Sequence, residues 1–118
     1  MLLSPFCSDL MLMNLTLEPL IKRVKSELQS VYGERLVQLV LFGSQARGDA
    51  SQESDIDLMA VLEGEVNYLE ERKRTADTLY QLSYENDQVL TCLFVSKDRY
   101  VHEKSPLLLN IRREGLPV

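Results

Sequence analysis

The sequence contains no tryptophan, one histidine and two cysteines, and none of its apolar runs approaches the roughly 18 residues that cross a bilayer. A membrane-spanning protein is therefore not expected. Two cysteines, Cys7 and Cys92, do not make a disulfide framework, and their spacing fits no zinc site. They read as reduced thiols of a cytoplasmic protein. Five glycines and four prolines leave no Pro/Gly-rich linker, and there is no repeat or low-complexity tract. Basic residues are in deficit: thirteen Lys and Arg against eighteen Asp and Glu give a net charge of −5. Such a chain has no broad attraction for a phosphate backbone, so direct nucleic-acid binding is not expected. The opening MLLSPFCSDLMLMN lacks a basic stretch and is interrupted by Asp9, which argues against a signal peptide.

At 45% hydrophobic and 26% charged residues, the chain has the composition of an ordinary folded domain. One domain over 1–118 is expected, with residues 1–13 as a candidate loose extension, since Met11 and Met13 are possible later starts. Thr16 reads as an N-cap, Pro19 fits a first turn, and Leu20, Ile21, Val24, Leu28 and Val31 recur at helical spacing up to Gly33. Leu36 to Phe42 reads as a buried strand, followed by a helical turn from Ser44 to Arg47 and a polar loop from Asp49 to Ser54. Asp55 to Leu62 reads as a second strand. A helix is predicted from Asn67 to about Tyr84, with Leu69, Arg72, Lys73, Ala76, Leu79, Tyr80 and Ser83 on one face. Val89 to Val95 is predicted as a third strand. Ser96 caps a short helix, and a final helix runs from Pro106 to about Glu114, closed by Gly115 and Pro117. This order predicts a small α/β sandwich, a mainly three-stranded sheet with helices packed on it.

One segment carries chemistry: Gly43-Ser44, ten residues, then Asp55-Ile56-Asp57. Glycine after a strand permits a sharp turn and close approach of a ligand. Serine adds a hydroxyl beside the N–H groups of a helix start, which together suit an anion. The two-residue period of a strand sets Asp55 and Asp57 on one face and Ile56 on the other. Two adjacent carboxylates repel and ionise readily only around a cation, and hard oxygen ligands favour Mg²⁺ or Mn²⁺. A phosphate cradle beside a divalent-metal clamp is equipment for attack at a nucleotide phosphorus. The four fixed residues match at this spacing by chance in about one such chain in a thousand, which favours this reading over a common turn and an exposed strand end.

Gly43-Ser44-x10-Asp55-x-Asp57 resembles the signature of the nucleotidyltransferase superfamily that includes DNA polymerase beta. The string GSQARGDASQESDIDL is similar to the minimal nucleotidyltransferase (MNT) domains of prokaryotes. The likeness extends to the preceding VQLVLF, to YENDQVLTCLFVS and to PLLLNIRREG. Such domains resemble the antitoxin half of modules whose other half is a HEPN-domain ribonuclease toxin. The resemblance implies Mg²⁺-dependent transfer of AMP from ATP to a tyrosine hydroxyl of that toxin. It implies two Mg²⁺ ions, Asp55 and Asp57 as metal ligands and catalytic residues, and Gly43 and Ser44 at the nucleotide, with Arg47 and Ser54 as further candidates there. Arg47 reads equally as a contact to the partner or as a solvated helix-turn charge. Two features depart from it. Gln45 stands where many relatives have arginine, leaving Arg47 as the one basic group of the loop. The third carboxylate usual on a later strand is missing from Val89–Val95, and Asp87 is the candidate for it, against a plain turn residue.

Ser54 also reads as a brace for its loop, Asp49 and Glu53 as loop solvation, and His102 as a surface residue. Cys92 reads as a small core residue. The mixed charges of Glu70 to Arg74 read as a solvated helix face. Arg112 and Arg113 could meet an acidic partner or phosphates. Tyr68, Tyr80, Tyr84 and Tyr100 are conceivable self-modification sites, with packing the simpler account of Tyr80 and Tyr84. The rival to an enzyme is a non-catalytic antitoxin that blocks its partner by occupancy. A transferase acting on a small molecule is the second rival, disfavoured because such relatives generally bind their acceptor with a second domain.

Overall fold

The computed structural model describes residues 5–48 and 55–118, with side chains from residue 17 onward. The elements are α1 (Pro5–Tyr32), a 3₁₀ turn (Gly33–Arg35), β1 (Leu36–Phe42), α2 (Ser44–Arg47), β2 (Ile56–Leu62), α3 (Tyr68–Asn86), β3 (Leu90–Ser96), α4 (Lys97–His102), α5 (Pro106–Glu114) and β4 (Leu116–Pro117). The α/β class and the helix-covered sheet are as expected. Helix α1 begins well before Thr16, so Thr16 lies inside it and Pro19 is an interior proline, not a first-turn one. The upstream Leu10-Met11-Leu12-Met13 consists of strong helix formers, which continue the helix past a residue able to cap it.

The sheet has four strands in the order β3-β2-β1-β4. β1 runs antiparallel to β2 and to β4, while β2 and β3, joined through α3, are parallel. The fourth strand was not expected. Its two residues pair with Val40 and Leu41 of β1, and the turn into it passes Gly115 so closely that an added Cβ would meet Val40 Cγ1 at 2.5 Å.

Alternation along the strands sends side chains into two cores. One face carries Leu39, Leu41, Ile56, Leu58, Ala60, Cys92 and Phe94, which pack with Leu20, Ile21, Val24 and Leu28 of α1 and Leu82 of α3. The other face carries Val40, Met59, Val61 and Val95 against Leu108 and Ile111 of α5. Each fully buried leucine contributes about 1.5–3 kcal/mol, so the first face anchors the fold. Cys92 is a core residue as expected, and burial pushes its thiol up to about 12.

The inward face of α3 differs from the predicted one. Glu71, Thr75 and Leu82 are buried, whereas Leu69 and Tyr80 are exposed. Glu71, expected on a solvated face, is buried because its carboxylate is fully received. Tyr32 Oη donates to it at 3.2 Å, Arg35 Nη1 at 3.1 Å and Arg74 Nε at 2.8 Å. Arg35 Nε also donates to the Glu63 carbonyl at 2.9 Å, so one arginine ties the 3₁₀ turn, the end of β2 and α3 together. Burial pushes the Glu71 carboxyl up, but the hydrogen bond and charge of Arg74, with Tyr32 and Arg35, hold it below its ordinary value.

Candidate active site

β1 ends at Gly43, whose φ of 75° and ψ of −155° lie where side-chain-bearing residues are strained. The chain then winds into α2. Arg47 N donates to the Gly43 carbonyl at 3.1 Å and Gly48 N to the Ser44 carbonyl at 3.0 Å. Gln45 and Ala46 are buried and anchor this turn, which no side chain caps at its start. Ser44 is half-buried at that start and Arg47 is exposed. Arg47 Nη1 lies 3.8 Å from Glu114 Oε2 at the end of α5.

Asp57 sits on the second residue of β2, directly across from Phe42, the last residue of β1. The bend at Gly43 therefore meets the carboxylate of Asp57. A Cβ built on Gly43 would stand 2.5 Å from Asp57 Oδ2 and 3.6 Å from Asp57 Cβ. Ile56 is fully buried in the opposite face, which fixes the alternation. Asp55, exposed, immediately precedes the strand. Burial pushes the Asp57 carboxyl above its ordinary value, the neighbouring Asp55 pushes the same way, and Arg47 opposes both. Asp57, whose ionisation is discouraged by burial and by the charge of Asp55, forms with Asp55 a donor set beside a bend kept open by a missing side chain, and such a set suits a hard divalent cation. The residues present thus fit Mg²⁺.

Asp87, the candidate third acid, ends α3 as its C-cap in the left-handed conformation, φ 48°. It lies at the same end of the sheet as the pair, since Ile56 N donates to the Val89 carbonyl. The residue that pairs with Asp57 on β3 is Thr91, which is exposed. Only the β2–β3 register brings Thr91 next to Asp57, so no local pattern in the sequence marks it. Ser54, Asp49 and Glu53 lie outside the described residues. Arg112 Nη1 donates to the Tyr100 carbonyl at 2.6 Å, and Arg113 pairs with Asn110 and Glu114. His102 is an exposed residue 3.8 Å from Asp98. Tyr80 and Tyr84, expected to pack, are 72% and 78% exposed. Among the described residues no group of three His, Cys, Asp or Glu could hold a metal, and the Asp pair is the described part of the donor set.

Residues 21–109 match the nucleotidyltransferase domain family. Two proteins of Methanocaldococcus jannaschii described as candidate protein adenylyltransferases are similar to this chain. One is 42% identical over 52 residues, 44% of this chain and 52% of the relative. The other is 30% identical over 78 residues, 66% of this chain and 78% of the relative. The chain thus spans about half the length of the first and most of the second. Among solved structures, a candidate nucleotidyltransferase from Sulfolobus solfataricus aligns with a TM-score of 0.59 at 22% identity, over 92% of this chain and 85% of that one. A toxin–antitoxin complex with AMP-PNP aligns with a TM-score of 0.55 at 16% identity, over 77% of this chain and 66% of that one. With the family matched over most of its length and the glycine bend set against the Asp pair, this chain belongs to the nucleotidyltransferase domain family.

Proposed function

We propose that the protein is an antitoxin that transfers AMP from ATP, with Mg²⁺, to a tyrosine hydroxyl of a partner HEPN-domain ribonuclease toxin and so silences it. The observation that carries this reading is the closeness of the Gly43 bend to the Asp57 carboxylate, where a Cβ built on Gly43 would stand 2.5 Å from Oδ2, with the charge of Asp55 acting on the same carboxylate. It sets the bend before α2 beside the acidic pair. The similarity to candidate protein adenylyltransferases supports a protein acceptor, and the likeness in fold to a toxin–antitoxin complex supports a toxin as that acceptor.

Asp55 and Asp57 would hold Mg²⁺, which when bound neutralises triphosphate charge and makes the α-phosphorus more electrophilic. The backbone at Gly43 and the Ser44 hydroxyl bind the β- and γ-phosphates, and Arg47 supplies positive charge next to Asp57. The partner's tyrosine oxygen bonds to the α-phosphorus, and the bond from that phosphorus to the bridging oxygen of the β-phosphate breaks, releasing pyrophosphate. Acceleration comes from positioning and charge neutralisation. Neither step needs covalent help from this chain.

The test is incubation with Mg²⁺, labelled ATP and the product of the adjacent gene. A mass gain of one AMP or more on a tyrosine of that product is expected, and Asp55→Asn and Asp57→Asn abolish it. Neutralisation of the partner that survives both substitutions, with no AMP transferred, would instead establish blocking by occupancy.

A further inference from the structure

Asp57 has one neighbour on each adjoining strand, Phe42 on β1 and Thr91 on β3. Directly paired residues project from the same face of a sheet. Phe42, Asp57 and Thr91 therefore form a row across the face that carries the Asp pair. Cys92, next in sequence, is buried in the opposite core, which fixes the direction of Thr91. On the β1 side the row leads to the Gly43 bend, the phosphate side of the site. On the β3 side it ends at an exposed hydroxyl on the last strand of the described sheet.

We propose that Thr91 is the positioning residue for the incoming acceptor hydroxyl and that it restricts the acceptor to a phenol. This rests on the adenylyl-transfer reading and names the acceptor-selecting element within it. A threonine hydroxyl donates one hydrogen bond and accepts others, so it can orient an approaching oxygen. It does not take up a proton at neutral pH. An aliphatic hydroxyl needs a base in order to attack, whereas a phenol, with a pKa of about 10, is already ionised in about one molecule per thousand at pH 7. The phenol gives its proton to water. The phenolate oxygen then bonds to the α-phosphorus, and the electron pair of the breaking bond leaves with pyrophosphate.

Two measurements test this. The first needs no acceptor: Mn²⁺ is titrated into the wild type and Thr91→Asp with a non-hydrolysable ATP analogue present. A carboxylate beside Asp57 tightens Mn²⁺ binding at least about tenfold, the effect of a single added charge–charge contact of modest strength. Unchanged binding would show that Thr91 does not adjoin the pair and would overturn the proposal. The second compares AMP transfer to the partner protein with transfer to the same partner carrying serine at the acceptor position. Wild-type protein is expected to modify tyrosine alone, at a rate rising about tenfold per pH unit between pH 6 and 8, following the phenolate fraction. Thr91→Val should raise KM for the partner, and Thr91→Asp should flatten the pH profile and admit serine. A flat wild-type profile, or serine accepted by the wild type, overturns the proposal. Asp49→Asn and Glu53→Gln then reveal whether a loop acid is the base. If Mn²⁺ binding tightens but no partner is modified, the adenylyl-transfer reading fails, and acceptor selection with it, while the location of Thr91 stands.

Discussion

The carboxylate of Asp57 lies where a side chain on Gly43 would begin: an added Cβ would approach Asp57 Oδ2 to 2.5 Å and Cγ to 3.5 Å. Ordinary carbon–oxygen contacts are far longer, and at φ 75° any L side chain is strained as well. Gly43→Ala should therefore act twice. It should cost about 1–3 kcal/mol of stability in urea unfolding, from backbone strain. It should also displace Asp57 and lower AMP transfer at least about 100-fold, the usual penalty for misplacing a reacting group by an ångström. Normal transfer by this variant would show that Asp57 functions in another position.

Glu71 is buried under three donors at the end of the sheet away from the Asp pair. Glu71→Gln should cost about 1–3 kcal/mol at pH 7, the lower end reflecting solvent screening of the partly exposed arginines. The folded-state carboxyl titrates below its ordinary value of 4.5. Its contribution is therefore present above 4.5 and lost as pH falls through the folded value. Urea unfolding across acidic pH should show the wild type and the variant converging, with AMP transfer at pH 7 unchanged in the variant below its melting temperature.

Asp87 is in the left-handed conformation, which asparagine tolerates and alanine does not. If its work is to end α3, Asp87→Asn should retain stability and keep AMP transfer within about threefold. Asp87→Ala should then lose about 1–2 kcal/mol. A loss of activity of about tenfold or more in Asp87→Asn, with stability intact, would make Asp87 the third acid.

The strands and the Gly-Ser to Asp-x-Asp unit were legible because each is a local pattern: a short apolar run, a glycine stop, and carboxylates alternating with Ile56. The inward face of α3 was misread because apolarity pointed to Leu69 and Tyr80, while a charged residue, Glu71, took the inner position with partners from α1 and the 3₁₀ turn. Those partners lie more than thirty residues away in sequence, beyond any periodicity. β4 was missed for a similar reason: two residues carry no pattern, and their strand character comes from pairing with β1. Thr91 could not be singled out because its place beside Asp57 is a matter of register between strands separated by a whole helix.

The most direct test is thermal unfolding of the wild type and Asp57→Asn at pH 7, with and without Mg²⁺ and ATP. The folded-state carboxyl of Asp57 titrates above its ordinary 3.8. The metal-free protein therefore loses stability as pH rises from 3.8 through the folded value, and at pH 7 the ionised Asp57 is a burden that asparagine removes. Without ligand, Asp57→Asn should melt above the wild type. Mg²⁺ with ATP should then raise the melting temperature of the wild type, by the equivalent of about 2.7 kcal/mol at a hundredfold excess over Kd, and leave the variant unmoved. Equal stabilisation of both by Mg²⁺ and ATP would contradict a metal–nucleotide site built on Asp57.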